Sequence, residues 1–299
     1  MKQIVLTFLF FIIRYSGLAE MIRYCCAKRR VTIVMYHNPK ADTFEKHLKY
    51  LSRRYNLITI SALVNAFQSG NFKKLPKYAL LITIDDGWKE NYDLLPIIKE
   101  YKCRPIIFLA SDIINTQRRY WWTICNVTKA KAFKKMPNSE RQKILKEKYS
   151  YSSNKEYPGE RQALNLQELN EMKDYVDFGL HTATHPILTR CTTSEKKDEI
   201  NNGKQQLEEL LNLRIETFSY PNGDYDAETK EILKENGITI ARTTDVGWTS
   251  LSSDQYQLRV TGVSDAASEN KLVAEITGLS MFIQYLLKGC FNGTKEKNY

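Results

Sequence analysis

Two short segments of this sequence carry side chains that could act together on a substrate. The first is Ile82-Thr83-Ile84-Asp85-Asp86-Gly87, where two adjacent carboxylates follow an apolar stretch. Carboxylates at the end of a buried strand are costly unless a cation, a hydrogen-bond network or solvent receives their charge. Asp-Gly is also a common turn pair, so this segment alone reads equally well as a turn. The second is Phe178-Gly179-Leu180-His181-Thr182-Ala183-Thr184-His185-Pro186, which holds two of the four histidines in the chain. A separation of four residues lets both imidazoles reach one metal ion from a single turn. An isolated histidine is more often structural, but a pair set beside an aspartate pair offers an Asp/His/His ligand set. Such a set leaves coordination positions open for water and substrate, as a catalytic site requires, and hydrolysis is the chemistry that follows. Ligation of this kind suits one divalent ion, zinc first, with cobalt, nickel, iron or manganese also accommodated.

Both segments end apolar runs, so the elements that position them come next. Residues 31–35 (VTIVM) form a β-branched run suited to a buried parallel strand, ending at Tyr36-His37. Phe44, Leu48 and Leu51 recur at helical spacing, with His47 on the polar side and therefore expected at the surface. Residues 57–60 read as a strand, and Ser61 as the N-cap of a helix reaching Phe67. Residues 79–84 (ALLITI) are the strongest strand, followed by a helix to about Tyr101 and a strand over 105–110 (PIIFLA). From about 111 to 165 the rhythm breaks into an insertion rich in Lys and Tyr, with the pair Trp121-Trp122. Those rings suit stacking on sugars, and equally the anchoring of a long loop. The alternation resumes with helices over 166–175, 194–211 and 227–236 and strands over 176–180, 216–220, 238–241 and 258–263. A helix over 272–287 is expected to pack on the body or on a membrane surface. Alternating strands and helices of this kind predict an α/β fold built on a parallel sheet or barrel, whose functional loops follow the strands.

The chain of 299 residues, 42% hydrophobic and 26% charged, is long enough to bury a sizeable core. Its net charge of +10 suits an anionic partner, but Lys and Arg are scattered in small groups, so no nucleic-acid partner is expected. Six cysteines without a C-x-x-C pair indicate reduced thiols rather than a disulfide framework or a zinc ribbon. Residues 4–13 are almost continuously apolar, but a bilayer-spanning helix needs roughly 20 such residues. The run reads either as a signal-peptide core, with Gly17 and Ala19 near a cleavage point, or as an uncleaved helix lying in a membrane interface. The second reading is preferred. It has Arg14, Arg23, Lys28, Arg29 and Arg30 facing anionic headgroups, and it implies peripheral membrane contact, on the cytoplasmic face ahead of a secreted or cell-envelope location. The expected organisation is a membrane-interacting segment over 1–30, a catalytic domain over 31–263 and a C-terminal helix and tail over 264–299.

The sequence resembles the polysaccharide deacetylase family, the NodB-homology or carbohydrate esterase 4 family. The family's motif T-F-D-D-G matches Thr83-Ile84-Asp85-Asp86-Gly87, and its motif H-[ST]-x-x-H-P matches His181 to Pro186. The resemblance covers about Val31 to Val263 and implies a distorted (β/α) barrel of about seven parallel strands. It further implies that Asp86, His181 and His185 hold the metal while Asp85, as general base, takes a proton from the attacking water. Trp88 is expected to cover the metal site. The family's R-x-P motif is represented by Phe218-Ser219-Tyr220-Pro221-Asn222-Gly223, which lacks the arginine. Tyr220 and Pro221 are expected to line the groove, with a backbone amide near Tyr220 facing the oxyanion and Arg242 or Arg259 substituting for the arginine. No histidine follows His185, so the family's late general-acid histidine is missing. Met35-Tyr36-His37 resembles the strand-end Tyr-His pair of the permuted exopolysaccharide deacetylases, which makes His37 the expected acid. The implied activity is metal-dependent removal of N-acetyl or O-acetyl groups from a cell-envelope or exopolysaccharide sugar. Two alternatives stay open at this point. One is deformylation or deacetylation of a lipid-linked amino sugar, and the other is an inactive, glycan-binding relative.

Overall fold

The computed structural model describes residues 2–280, with side chains from residue 5. Eight strands occur in it: β1 Thr32–Tyr36, β2 Asn56–Leu57, β3 Ala79–Ile84, β4 Ile106–Leu109, β5 Asp177–Leu180, β6 Thr217–Ser219, β7 Ile240–Val246 and β8 Leu258–Gly262. All pair in parallel. Because β1 bonds both β8 and β3, the ring β1-β3-β4-β5-β6-β7-β8 closes into the expected seven-stranded barrel, with β2 a short addition on β3.

Parallel strands covered by helices are buried on both faces, which explains the unbroken apolar runs at β1, β3 and β4. Side chains still alternate between the two faces. Ile33, Met35, Leu81, Ile106, Phe108, Ile240, Leu258 and Val260 belong to one cluster, the barrel interior. Val34, Tyr36, Leu80, Ile82, Ile84, Phe178, Leu180 and Phe218 belong to a larger one shared with the surrounding helices. Continuing the inner set by twos past the strand ends brings Asp85 in phase with Leu81, and Arg242 in phase with Ile240. The same period-two count puts His181 and Ser219 on the inward side of β5 and β6. The polar groups thus cap the inner layer at the C-terminal mouth.

Several elements differ from expectation. Thr59, not Ser61, caps the helix Ile60–Gln68 through its side chain, so β2 stops at Leu57. The segment after Gly87 opens as a 3-10 turn, Lys89–Leu94, before the helix Leu95–Glu100, whose second residue is Pro96. β7 runs on to Val246 because it pairs with β8 over that length. The insertion has order of its own: the turn Trp121–Ile124 and the helices Val127–Phe133 and Asn138–Tyr149 enclose a small core of Trp121, Ala130, Phe133, Leu145 and Tyr151. The last described helix is Glu269–Ile276, and the expected continuation over 281–287 lies outside the described residues. The five described cysteines are all free thiols.

Residues 5–27 correct one expectation. Phe10 and Ile13 of the helix Lys2–Tyr15 are buried against the body, beside Glu269–Ile276. Arg14 donates 2.9 Å to Asn270 Oδ1 and pairs with Glu269, while Arg23 pairs with Glu20 and lies 4.3 Å over the Tyr78 ring. These two arginines therefore dock the segment on the protein rather than face lipid. The opposite side exposes Val5, Phe8, Phe11, Ile12, Tyr15, Met21 and Tyr24, and Arg29 and Arg30, further along the chain, are exposed as well. No single helix among the described residues is long and apolar enough to cross a membrane; the pair Val5–Tyr15 and Leu18–Ala27, bent by 60°, has the length and composition together.

His47 is buried, not on the surface. Its Nδ1 lies 3.1 Å from Tyr36 Oη and its Nε2 2.8 Å from the Ala267 carbonyl, and burial holds the imidazole below the ordinary histidine value. It bridges β1 to the chain beyond β8. His47→Ala is expected to destabilise the protein by roughly 2 kcal/mol in urea unfolding, since it leaves a buried hydroxyl and a carbonyl unpaired; a change under about 0.5 kcal/mol would mean a surface residue.

Candidate active site

At the barrel mouth, Asp86 follows β3 while His181 and His185 follow β5, and one ligand atom from each lies within 4.8 Å of the other two. His181 Nε2 is 3.6 Å and His185 Nε2 3.4 Å from Asp86 Oδ1. All three residues are buried. His181 Nδ1 sits 2.7 Å from the Ser219 carbonyl, which fixes Nδ1 as the protonated nitrogen and leaves the Nε2 lone pair turned to the aspartates. Asp86 Oδ1 is buried with no hydrogen-bond partner. Three electron-pair donors facing one point, one of them an orphaned carboxylate oxygen, form an arrangement that a divalent cation would complete.

Asp85 is held differently. The Arg242 guanidinium, rising from inside the barrel, bonds both of its carboxylate oxygens through Nη2, which also donates 2.5 Å to Ser219 Oγ. The arginine absent from the segment around Tyr220 is thus supplied by β7, whereas Arg259 is exposed and stands away from the site. Burial pushes the Asp85 carboxyl up, but Arg242, with His181 and His37, outweighs it and keeps the group ionised below the usual carboxylate range. Asp86 is likewise lowered, burial being outweighed by His185, His37 and His181. Burial and the neighbouring His185 push His181 down to about 4.

His37 reaches the same mouth from β1. Asp265 accepts from the His37 and Asn38 amides at 3.0 and 2.9 Å, and Asn91 Nδ2 donates 3.0 Å to the His37 carbonyl. Its half-buried imidazole is close enough for its charge to act on both aspartates. Trp88 donates from its indole nitrogen to Asp86 Oδ2 at 2.9 Å, so it supports that carboxylate as well as walling the site.

Tyr220 and Pro221 are not part of the groove. Both are buried; the Tyr220 hydroxyl donates 3.0 Å to the Tyr256 carbonyl, and its amide is spent on the Arg242 carbonyl at 3.1 Å. A tyrosine one position beyond the inward-facing Ser219 must point outward by the period-two rule, toward the helices.

The supports that sequence reasoning missed come largely from the insertion. Tyr120 bonds the Asp86 carbonyl, Trp121 Nε1 donates 2.9 Å to the His185 carbonyl, and the Trp122 ring lies 4.3 Å from the His185 ring. Glu199, on the helix Thr193–Leu211, accepts from the Ala183 and Thr184 amides at 3.0 and 2.8 Å and so clamps the turn between the histidines. The clamping is needed because Asp86, Thr182 and His185 have φ of 74°, 65° and 59°, a region that L-residues avoid and that a β-branched threonine avoids most. The sequence signals were faint: three consecutive aromatics in a polar loop, and a glutamate one residue before the buried Ile200.

A family model for polysaccharide deacetylases matches residues 72–241. The chain is 23% identical over 261 residues to YxkH of Bacillus subtilis, a protein named for that family, covering 84% of this chain and 77% of YxkH. In fold it is similar to the Streptococcus pyogenes deacetylase PplD solved with acetate (18% identity, TM-score 0.62, 83% of this chain and 98% of PplD). It is also similar in fold to IcaB from Ammonifex degensii (16% identity, TM-score 0.58, 84% of this chain and 97% of IcaB). The matched stretch spans more than half of the chain and includes Asp85, Asp86, His181, His185 and Ser219, so this protein belongs to the polysaccharide deacetylase family. By class it is a hydrolase of carbon–nitrogen bonds other than peptide bonds, a carbohydrate deacetylase.

The lowered His181 makes a signed prediction for the metal-free protein. Between pH 6.5 and about 4 the unfolded chain binds a proton at this position that the folded chain refuses, so stability falls as pH falls through that window. The expected slope from this group is about 1.4 kcal/mol per pH unit. Urea unfolding in a chelator between pH 7 and 5 should show the loss, and His181→Gln should flatten it; an identical slope in the variant would refute the assignment.

Proposed function

We propose that the protein removes N-acetyl, or O-acetyl, groups from an amino-sugar polymer of the cell envelope or an exopolysaccharide, using one divalent metal held by Asp86, His181 and His185. The observation that carries this reading is the buried convergence of two imidazole nitrogens on an unpartnered Asp86 oxygen, with a second, ionised carboxylate alongside. Two histidines and one carboxylate suit zinc and leave room for water and substrate. A divalent ion bound there supplies Lewis-acid polarisation of the acyl oxygen and makes an adjacent water more acidic.

The rest of the chemistry falls to the chain. Asp85, kept ionised and oriented by Arg242, accepts the proton of the attacking water. Ser219 keeps His181 in the tautomer that presents Nε2, and Trp88 and Tyr120 keep Asp86 turned into the site. His37 donates the proton that the departing amine or alkoxide requires, a task suited to an imidazole. The reading as a non-catalytic glycan binder drew on the missing arginine and the missing late histidine; Arg242 beside Asp85 supplies the first, and His37 at the same mouth is the residue proposed for the second.

The exposed apolar face of the first helices, followed in the chain by exposed Arg29 and Arg30, supports peripheral contact with an anionic membrane. A substrate presented at a membrane, whether polymer or lipid-linked sugar, suits that placement.

Asp85→Asn is expected to lower kcat for acetate release by at least about 100-fold while the protein retains its metal by elemental analysis. Unchanged turnover in this variant, or turnover that survives thorough chelation, would overturn the proposed reaction. Membrane contact is read separately: the wild type should co-sediment with vesicles containing an anionic phospholipid, and the double variant Phe8→Glu/Phe11→Glu should stay in the supernatant. Equal sedimentation of the two would rule that contact out.

A further inference from the structure

Lys134 is an ionisable group at the barrel mouth that the proposed reaction leaves unused. It follows the helix Val127–Phe133 of the insertion, and its side chain is half-buried. Its Nζ donates 2.9 Å to Asn222 Oδ1, on the turn that follows β6, and it makes no ion pair with a carboxylate among the described residues. That turn is itself constrained. Asn222 has a φ of 60°, its side chain donates 2.8 Å to Asp224, and a Cβ at Gly223 would fall 2.0 Å from Thr244 Oγ1. The lysine is therefore tied to a rigid point on the rim, with donor hydrogens left over after its single neutral acceptor.

The electrostatic setting is informative. Burial pulls the Lys134 ammonium below the ordinary lysine value, and the negative fields of Asp86 and Asp224 only partly offset that pull. Lys134 is bonded to Asn222, three residues past the Ser219 whose carbonyl holds His181, which sets the ammonium on the same rim as the ligand cluster. Asp85, Asp86 and Asp224 set three negative charges against the two positive ones of Arg242 and Lys134, so a divalent cation in the ligand cluster would leave this group with one positive charge in excess. A partly desolvated ammonium with no carboxylate in ion-pair contact is only partly compensated, and it gains when an anion arrives.

We propose that Lys134 is a substrate-binding residue that receives an anionic oxygen group, a carboxylate or a phosphate, carried by the glycan, so that the preferred substrate is an acidic rather than a neutral sugar chain. The proposal rests on the deacetylase reading and names its substrate class. A point-charge ammonium at the end of a flexible stem accepts either anion, whereas neutral N-acetylated sugars offer it only hydroxyl and amide oxygens.

The test uses the full chain loaded with zinc and three oligosaccharide probes. One is a neutral tetramer of N-acetylglucosamine, one an alternating tetramer with N-acetylmuramic acid, and one the neutral tetramer phosphorylated at its reducing end. The wild type should show a higher kcat/KM for at least one acidic probe than for the neutral one, and the responding probe tells carboxylate from phosphate. In Lys134→Met that preference ratio should fall roughly tenfold, mainly through KM, while Lys134→Arg should keep most of it. Calorimetric binding of the same probes to the metal-free protein should show the same ordering, which separates this inference from turnover. Equal affinity for neutral and acidic probes in the wild type, or a ratio unchanged in Lys134→Met, would overturn the proposal. Absence of acetate release from every probe would instead overturn the deacetylase reading and leave the binding comparison to decide on Lys134.

Discussion

The structure depends on keeping two adjacent carboxylates charged where water does not reach them. Asp85 and Asp86 end a strand whose six residues are all buried, and both carboxylates are themselves buried. Ionised groups withdrawn from water need compensation from fixed charges or aligned dipoles. The chain provides it asymmetrically: Asp85 is closed off by Arg242 and Ser219, while Asp86 keeps one oxygen unpartnered and facing two imidazoles. That asymmetry gives neighbours of identical chemistry different surroundings, the basis on which Asp85 is proposed to move a proton and Asp86 to hold a cation.

Holding this arrangement requires backbone conformations that the chain would not adopt freely. Asp86, Thr182 and His185 all lie at positive φ, and each is secured from a different element. Tyr120 and Trp88 hold Asp86, Glu199 and the Thr182 hydroxyl hold the histidine turn, and Trp121 holds the His185 carbonyl. Gly87 fits the same pattern, since a Cβ there would meet Leu109 Cδ2 at 2.4 Å. The insertion is thus more than a loop on the barrel: its small core around Trp121 backs the residues that brace the Asp86 turn and the His181–His185 turn. Arg141, wholly buried and 4.6 Å from the Trp121 ring, stiffens that core from behind.

Much of this was legible in the order of residues. The alternation of apolar runs and helical patterns specifies a parallel barrel because each run is too short and too uniformly apolar to be anything but a strand covered on both sides. The Asp-Asp and His-x-x-x-His segments point to a candidate metal site because their donor types and their positions after strands leave few other uses. Period-two counting from Leu81 and Ile240 would also have placed Asp85 and Arg242 on one inward face. It would likewise have turned Tyr220 outward.

What only the folded chain decided are the contacts between residues far apart in sequence. Arg242 meets Asp85 across 157 positions, and His47 meets Ala267 across 220, because closing β8 onto β1 and β1 onto β3 brings the two ends of the domain together. Local pattern reports which face of an element a residue occupies, not what stands opposite. So His47 read as surface from its polar helical neighbours, Arg14 read as a lipid contact, and the pair Trp121-Trp122 read as either lining or anchor. Donor chemistry and strand phase are properties of a few consecutive residues and therefore survive in the sequence. Burial, partner and protonation depend on the dielectric and the charges that distant segments supply, and they come into being only when the barrel closes.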